Sequence, residues 1–312
     1  MKYYLISLIL LPFLLIGDCC CLYVYPDVTI SGAVGYKHQE ISLGYREHRA
    51  PDKKTIEQKI NNLQDVYLSL EAKIFEPCWP YFRALFTSAF GWGNKGVWEI
   101  NTFLGSTPLS GDGTFNSHAT ALNTTLELGG AFREGPFAFA PFFGFIWQRQ
   151  NIHLSSLTQA LFPGGDFHPT HYFWYRFITP SIGIRVAILP TLYNRLKIEA
   201  GYSFSLGQCL VRSSYKIDSS PTRFHNQLKT REWATMQNFE LIASYGLLDH
   251  LLLSLAFNYE YDKARSKRNA TRETILTASP TGPYSFSERR RIPFLGFRNQ
   301  AYGFEVKASY GF

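Results

Sequence analysis

Beyond its N-terminal segment the chain lacks any apolar run approaching the roughly 20 residues that a membrane-spanning helix needs, so a bundle of membrane helices is excluded. The glycine-rich pieces GGDFH and GWGNKG lack the spacing of a phosphate-binding loop. The segment HPTH holds two histidines without a fixed strand or helix spacing, and solvated histidines are the simpler interpretation. We therefore predict no metal site and no cofactor.

The first residues, MKYYLISLILLPFLLIGDCCC, have the layout of a secretory signal peptide. Lys2 precedes an apolar stretch over 3–16, and we predict cleavage after Gly17, which makes 1–17 the signal peptide and 18–312 the mature chain. Three cysteines follow, so a lipoprotein is an alternative, but Asp18 stands where a small residue should precede the lipidated cysteine. A retained anchor helix is the other alternative, and the segment is short for one.

Alternation with a period of two dominates the rest of the chain, in which 16% of the residues are aromatic. The final residues YGFEVKASYGF alternate between apolar or aromatic and small or charged side chains, which predicts a strand with one apolar face. The same pattern recurs in VYLSLEAKIF, RLKIEAGYSFSLG and YGLLDHLLLSLAFNYEY. Each segment is long enough to cross a bilayer as a tilted strand of about 9 to 11 residues.

We predict an all-β fold, a transmembrane antiparallel β-barrel of about ten strands. The strands are placed near 28–46, 64–75, 81–91, 119–132, 136–149, 172–187, 195–210, 233–246, 250–262 and 300–312. A soluble β-sandwich is the alternative; it would have to bury the apolar faces between two sheets and leaves the aromatic strand ends unexplained. The final strand, ending at Phe312, resembles the signal that the outer-membrane assembly machinery recognises.

The connections alternate in length, which is typical of periplasmic turns and extracellular loops. Five long polar segments are predicted as extracellular loops: 49–63, 92–118, 150–171, 211–232 and 263–299. Cys78 falls in a short turn and Cys209 near the opposite rim, too far apart for a disulfide within one barrel. Either could pair between molecules in an oxidising envelope.

The inward face of the predicted strands carries acids and bases in near balance. We predict a lumen charge network formed by Arg83, Arg185, Lys197, Glu199, Glu240 and Glu260. A barrel of about ten strands is little wider than the eight-stranded type that side chains fill, whereas aqueous porins need about 16 to 18 strands. A wide solute channel is therefore disfavoured, and a narrow ion-conducting gap stays open as an alternative.

Three stretches carry a resemblance to a known family: ISLGYREHRAPDKKTIEQKINNLQDVYLSLEAKIFE, PFFGFIWQRQN and HYFWYRFITPSIGIRV. In order and spacing they resemble the Protochlamydia outer membrane protein family, whose barrels are similar to the ten-stranded omptin proteases. The resemblance covers most of the mature chain. It implies a Gram-negative outer-membrane barrel, from a chlamydia-like organism, with pore formation as a family trait.

Omptin proteases use a pair of close aspartates on one loop and an Asp-x-His on another to activate water. The matching second loop here contains Glu99 and a lone Asp112, and the matching fourth loop contains Asp218 and His225, seven residues apart. An Asp-x-His does occur, in GGDFHPTH (Asp166 and His168), but it lies in the third loop, where Gly and Pro indicate a turn. We predict no enzymatic activity, with an omptin-type protease as the less favoured alternative.

The last predicted loop is strongly basic: between 262 and 298 lysine and arginine outnumber acids three to one. We predict that it binds polyanions, and the residues assigned to that role are Arg265, Lys267, Arg268, Arg289, Arg290 and Arg291. The expected partners are lipopolysaccharide phosphates and sulfated polyanions on a host surface, and no nucleic acid. A merely solvated loop is the alternative. The sequence thus leaves two roles open, binding through surface loops and a narrow, porin-like channel.

Overall fold

The computed structural model describes residues 28–49, 52–75, 80–104, 107–155, 170–188, 196–219, 222–248, 250–264, 269–278 and 284–312. The signal peptide predicted at 1–17 and the turn with Cys78 lie outside them. The described strands are β1 (Val28–Arg49), β2 (Asp52–Ile74), β3 (Pro80–Leu104), β4 (Thr107–Gly130), β5 (Phe132–Glu134), β6 (Phe137–Ser155), β7 (Thr170–Ile188), β8 (Leu196–Ser219), β9 (Thr222–Leu248), β10 (Leu251–Ala264), β11 (Asn269–Ala278) and β12 (Tyr284–Gly311). Within these ranges, no helix has the length and apolar character needed to cross a membrane.

The strands close into one antiparallel barrel, because β12 pairs with β1 from Thr29 opposite Gly311 to Tyr45 opposite Phe294. Ten strands form the wall at the end where Val28 meets Phe312, which we call the terminal end; the opposite end is the loop end. The predicted ten-stranded barrel is confirmed. At the seam, the backbone N–H of Phe312 donates to the carbonyl of Val28 at 3.0 Å.

An apolar band covers the outer face of the terminal half. In β12 it is formed by every second residue from Tyr302 to Tyr310, and the neighbouring strands contribute side chains such as Leu70 and Leu255, both more than 60% exposed. Its length matches the 9 to 11 residues or so that a tilted strand needs to cross a bilayer. Phe312 prolongs the band with an exposed ring packed edge-on against Tyr310, at a centroid distance of 5.0 Å.

The pattern reverses in the loop half, where apolar side chains point into the barrel. Ile41 and Leu43 of β1 are buried, although the exposed apolar residues of that strand lie at Ile30, Val34 and Tyr36. The buried cluster at this level also contains Ile60, Leu63, Ile152, Leu154, Phe173, Tyr175, Phe177, Cys209, Val211, Leu228, Ile292, Phe294 and Phe297. Above the lipid-facing band the wall thus resembles a water-soluble barrel with a packed core.

The strand ends predicted from the sequence are therefore wrong at the loop end. β3 and β4 run through the segment 92–118, and β8 and β9 run through 211–232, where long loops were expected. Continued pairing satisfies the backbone hydrogen-bonding groups once the outer face no longer meets lipid. Cys209, expected near the rim, is fully buried in the core, so pairing of its thiol between folded molecules is excluded.

The basic segment 263–299 is also mostly strand. β10 ends at Ala264, and above it β11 takes its place between β9 and β12. Thr271 of β11 lies opposite Lys229 of β9 on one side and Arg291 of β12 on the other. This insertion keeps the wall continuous and places the basic residues of β12 one strand away from those of β9.

Candidate functional site

Two groups of charged residues stand out, one inside the barrel and one on its outer wall. Inside the terminal half, the guanidinium of Arg83 donates to Glu71 at 2.6 Å, to Glu240 at 2.9 Å and to Glu127 at 3.2 Å. These carboxylates come from β2, β9 and β4. One buried arginine therefore connects three strands across the lumen.

Arg185 of β7 plays the same part from the opposite side. It donates to Glu240 at 2.7 Å, to Glu127 at 2.9 Å and to Glu199 at 3.4 Å. Gly201 makes room for it, since a Cβ at that position would lie 2.8 Å from Nη1 of Arg185. The whole layer contains five cations and five carboxylates: Lys73, Arg83, Arg185, Lys197 and Lys307 with Glu71, Glu127, Glu199, Glu240 and Glu305.

The structure thus brings together five of the six residues assigned to the lumen network, with Lys197 at its edge, 3.9 Å from Glu199. Glu260 lies apart, in a second layer nearer the loop end. Its carboxylate accepts from Lys37 at 3.2 Å and from the Gln148 amide at 2.7 Å. The sequence analysis did not assign Lys37 to the lumen network, although Lys37 lies two residues before the buried Gln39 and therefore faces inward as well.

A small cavity separates the two charged layers. It has a volume of about 150 Å³, and Arg83, Glu240, Lys37, Glu260 and Tyr67 are among the residues that line it. Beyond the second layer the lumen is filled by an amide cluster. Gln39 donates to Asn299 at 2.7 Å and to Gln150 at 2.8 Å, and all three side chains are buried.

One sector of the outer wall just above the apolar band, on β6 to β9, carries positive charge. Three guanidinium groups surround the Trp174 ring: Arg212 at 5.1 Å, Arg176 at 5.9 Å and Arg149 at 6.0 Å from its centroid. Arg149 lies directly opposite Arg176 across β6 and β7, and Arg212 lies directly opposite Lys229 across β8 and β9. Like charges in such positions repel each other and destabilise the sheet.

A pocket of about 730 Å³ extends from this group across the outer face of β7, β8, β9, β11 and β12. We call it the basic pocket, and its cationic lining is Arg176, Arg212, Lys229, Arg231 and Arg289. None of these five cations lies within 4.0 Å of a carboxylate oxygen among the described side chains. Arg231 is held by Gln208, to whose amide oxygen its Nε donates at 2.8 Å. Ile178 and Leu210 form the apolar part of the lining, next to the lipid-facing band.

Of the residues predicted to bind polyanions, Arg289 lines the basic pocket, and Arg291 is exposed on the same strand. Arg290 lies between them in β12, and its side chain is outside the described part. Arg265, Lys267 and Arg268 also lie outside the described residues. The sequence reasoning missed Arg149, Arg176, Arg212, Lys229 and Arg231. All of them except Lys229 lie two residues from an outward apolar residue of the band, a spacing that indicates its rim.

The residues considered for proteolysis fall on the long strands at the loop end. Glu99 of β3 lies directly opposite Asp112 of β4, and Asp218 of β8 lies opposite Arg223 of β9. His225 lies opposite Lys216. The side chains of these residues, and Asp166 and His168 altogether, are outside the described part of the chain. Over the described ranges there is no group of three or more His, Cys, Asp or Glu placed to hold a metal ion.

The fold is that of an outer-membrane β-barrel, and it resembles solved barrels from Gram-negative bacteria. Over 95% of this chain and 100% of the other, it is similar to the outer membrane protease OmpT from Escherichia coli, with a TM-score of 0.67 and 13% sequence identity. At that identity the likeness shows the fold alone. The translocator domain of the autotransporter NalP from Neisseria meningitidis also matches, at 11% identity over 93% of this chain and 90% of that one, with a TM-score of 0.37.

No protein-family model matches the sequence, and no curated protein does. The omptin-like barrel is thus supported by structure. Membership of the Protochlamydia outer membrane protein family stays a prediction.

Proposed function

We propose that this chain is a non-enzymatic integral outer-membrane protein of a Gram-negative bacterium that binds anionic groups, above all lipopolysaccharide, on the outer wall of its barrel. The observation that carries the proposal is the basic pocket, which lies immediately above the lipid-facing band. At that height the wall meets the headgroups of the outer leaflet. In this orientation the terminal end faces the periplasm and the loop end faces outward.

Electrostatics favours an anion in the pocket. Arg149 with Arg176, and Arg212 with Lys229, are pairs of like charge at cross-strand distance, well within the Debye length of about 8 Å at physiological ionic strength. A phosphate placed between two such cations relieves their repulsion. Guanidinium groups are suited to that role because their planar fork donates to two oxygens of a phosphate or sulfate.

The shape and lining favour an amphiphile over a free anion. A volume of about 730 Å³ falls within the range of roughly 300–1,000 Å³ that is usual for ligand sites. Ile178 and Leu210 continue the lipid-facing surface into the pocket, so a ligand with acyl chains against the wall would place its phosphates among the arginines. Lipopolysaccharide has that architecture. A host-surface polyanion could engage only the upper cations, such as Arg289.

A narrow pore is the second candidate, and the cavity between the two charged layers favours it. The salt-bridge layer and the packed apolar core fill successive levels of the lumen, which argues against a wide channel. We therefore propose that any conductance is small. Assembly through recognition of the final strand, with its exposed Phe312, belongs to the same proposal.

The proposal is tested by replacing Arg176 and Arg212 together by Ser in the refolded, full-length barrel. Retention on heparin and on lipopolysaccharide vesicles should weaken, and its salt dependence should become shallower because fewer counterions are released. Arg133→Ser is the matched control, since Arg133 is an exposed arginine of β5, next to a turn at the terminal end. Equal retention of the double variant and the native protein would contradict the proposal.

Loss of heparin retention with unchanged vesicle binding would place a soluble polyanion in the pocket instead of a lipid. Peptide cleavage is assayed alongside. Cleavage that disappears on changing Asp112 or His225 would contradict the non-enzymatic assignment.

A further inference from the structure

Two histidines face each other on the outer wall, away from the basic pocket. His118 of β4 lies directly opposite His153 of β6 in the antiparallel ladder. Their chain neighbours Ala119 and Leu154 are buried in the barrel, so both histidines are on the outer face. Directly opposite residues have Cβ atoms about 4.5 to 5.5 Å apart, a separation from which two imidazole rings can reach one ion.

The pair lies above the lipid-facing band. On β6 the outward positions after Trp147 are Arg149, Asn151 and then His153, which places His153 beyond the headgroup-level arginine. The row that contains the pair continues on both sides with aromatic residues, Trp92 opposite His118 and Tyr172 opposite His153. In this row His118 is exposed and His153 is half-buried.

The His153 ring is held in place, and one of its nitrogens has no hydrogen-bond partner. The ring stacks on Tyr172 with a centroid distance of 4.4 Å and an interplanar angle of 17°. Its Nε2 atom is buried and has no partner among the described residues. Metals are ligated by an imidazole nitrogen that is free of a proton and of a hydrogen bond.

We propose that His118 and His153 form a two-histidine site for a divalent transition-metal ion, Zn²⁺ or Cu²⁺. Imidazole nitrogens bind Zn²⁺ at about 2.0 to 2.1 Å, and Cu²⁺ binds such ligands more tightly still. With only two protein ligands, water completes the coordination sphere, so the ion exchanges readily and binds less tightly than in a closed four-ligand site. A bound ion would also cross-link β4 and β6 above the lipid-facing band.

The test is a Cu²⁺ titration of the folded, full-length barrel in detergent, followed by electron paramagnetic resonance. The native protein should show a signal from a copper ion with two imidazole nitrogens. His118→Gln and His153→Gln should each remove that signal and lower the affinity at least about tenfold, because even outer-shell changes around a metal cost that much. Heat-modified migration on gels checks that both variants are folded.

Two matched controls keep the result specific. His250→Gln removes an exposed histidine at the terminal end, and a double variant, His168→Gln with His171→Gln, removes the histidines of the HPTH segment. Both should retain the two-nitrogen signal. The inference is overturned if the signal survives in His118→Gln and His153→Gln, or if it disappears only in the HPTH variant.

Discussion

Arg176 and Arg185 belong to the same strand, β7, and face opposite sides of it. Arg185 points into the lumen and donates to the carboxylates of Glu127, Glu199 and Glu240. Arg176 points outward, where its described neighbours are the Trp174 ring and a second arginine, Arg149. The inner arginine is neutralised by carboxylates of the chain, whereas the outer one has no carboxylate within 4.0 Å among the described side chains; the proposed function gives it lipid phosphate as a partner.

The difference follows from the two environments. A charge buried in the lumen must be paired and hydrogen-bonded, since an unpaired one costs several kcal/mol. A cation at the headgroup level is hydrated and close to anionic lipid, so it needs no internal partner. Replacing an inner charge should therefore change the stability of the barrel, and replacing an outer charge should change its binding of anions.

The largest expected effect is the loss of an inner arginine. Arg185→Ala removes one cation from each of three buried carboxylates, and breaking a buried ion pair in this way costs about 3 to 5 kcal/mol. The yield of heat-modifiable, folded barrel should fall sharply. Arg176→Ala on the same strand should fold as the native protein does; equal losses in both variants would break the comparison.

The packed core of the loop half should respond almost as strongly. Phe297→Ala removes a buried ring that lies 5.1 Å from Tyr175 and 5.9 Å from Phe173, and a cavity of this kind costs about 3 to 5 kcal/mol. Phe304 of the same strand is exposed on the lipid-facing band. Phe304→Ala should therefore lower the free energy of unfolding much less. Urea titration of both variants in lipid vesicles measures the difference.

A smaller effect is expected on ion flow. The native barrel should conduct weakly in planar bilayers, and Lys73→Ala should raise the conductance. Lys73 is 2.9 Å from Glu199, and its removal opens the edge of the charged layer while Arg185 still holds that carboxylate. Glu40→Ala, at an exposed outer position, is the control. A large conductance in the native protein would mean that the lumen is not closed as described.

The smallest effect is the absence of a reaction. Cys209 is fully buried, so a membrane-impermeant maleimide should not modify it in the folded barrel once the other cysteines are replaced by Ser. The neighbouring residue Gln208 faces outward, so a cysteine introduced there by Gln208→Cys should be labelled rapidly. Equal labelling of the two positions in folded protein would show that the core of the loop half opens to solvent.

The sequence predicts the barrel well, because lipid-facing strands alternate without interruption. It fails at the loop end, where the alternation changes phase: in β1 the apolar residues move from Ile30, Val34 and Tyr36 on the outer face to Ile41 and Leu43 on the inner face. A strand prediction based on outward apolar residues stops where the apolar residues change face, so the rest of the strand is predicted as a loop. The phase change itself is visible in the sequence and marks the height of the membrane surface.

The candidate site was predictable only in part. Because every second residue of a strand faces inward, the sequence predicts that Arg83 and Glu240 point into the lumen. The alternation does not give their height along the barrel axis, so it does not predict that Glu260 lies in a separate layer. The basic pocket depends on the insertion of β11 between β9 and β12, a pairing between segments that are not consecutive. Only that pairing brings Arg289 into one pocket with Arg212.

The central claim is that the outer cations hold lipid phosphate, and the most direct measurement is the phosphorus content of barrels purified from outer membranes in mild detergent. The native protein and Arg133→Ser should each retain phosphorylated lipid that resists washing at low salt. The double variant Arg176→Ser with Arg212→Ser, folded to the same extent, should lose it. Equal phosphorus in all three proteins would contradict the account.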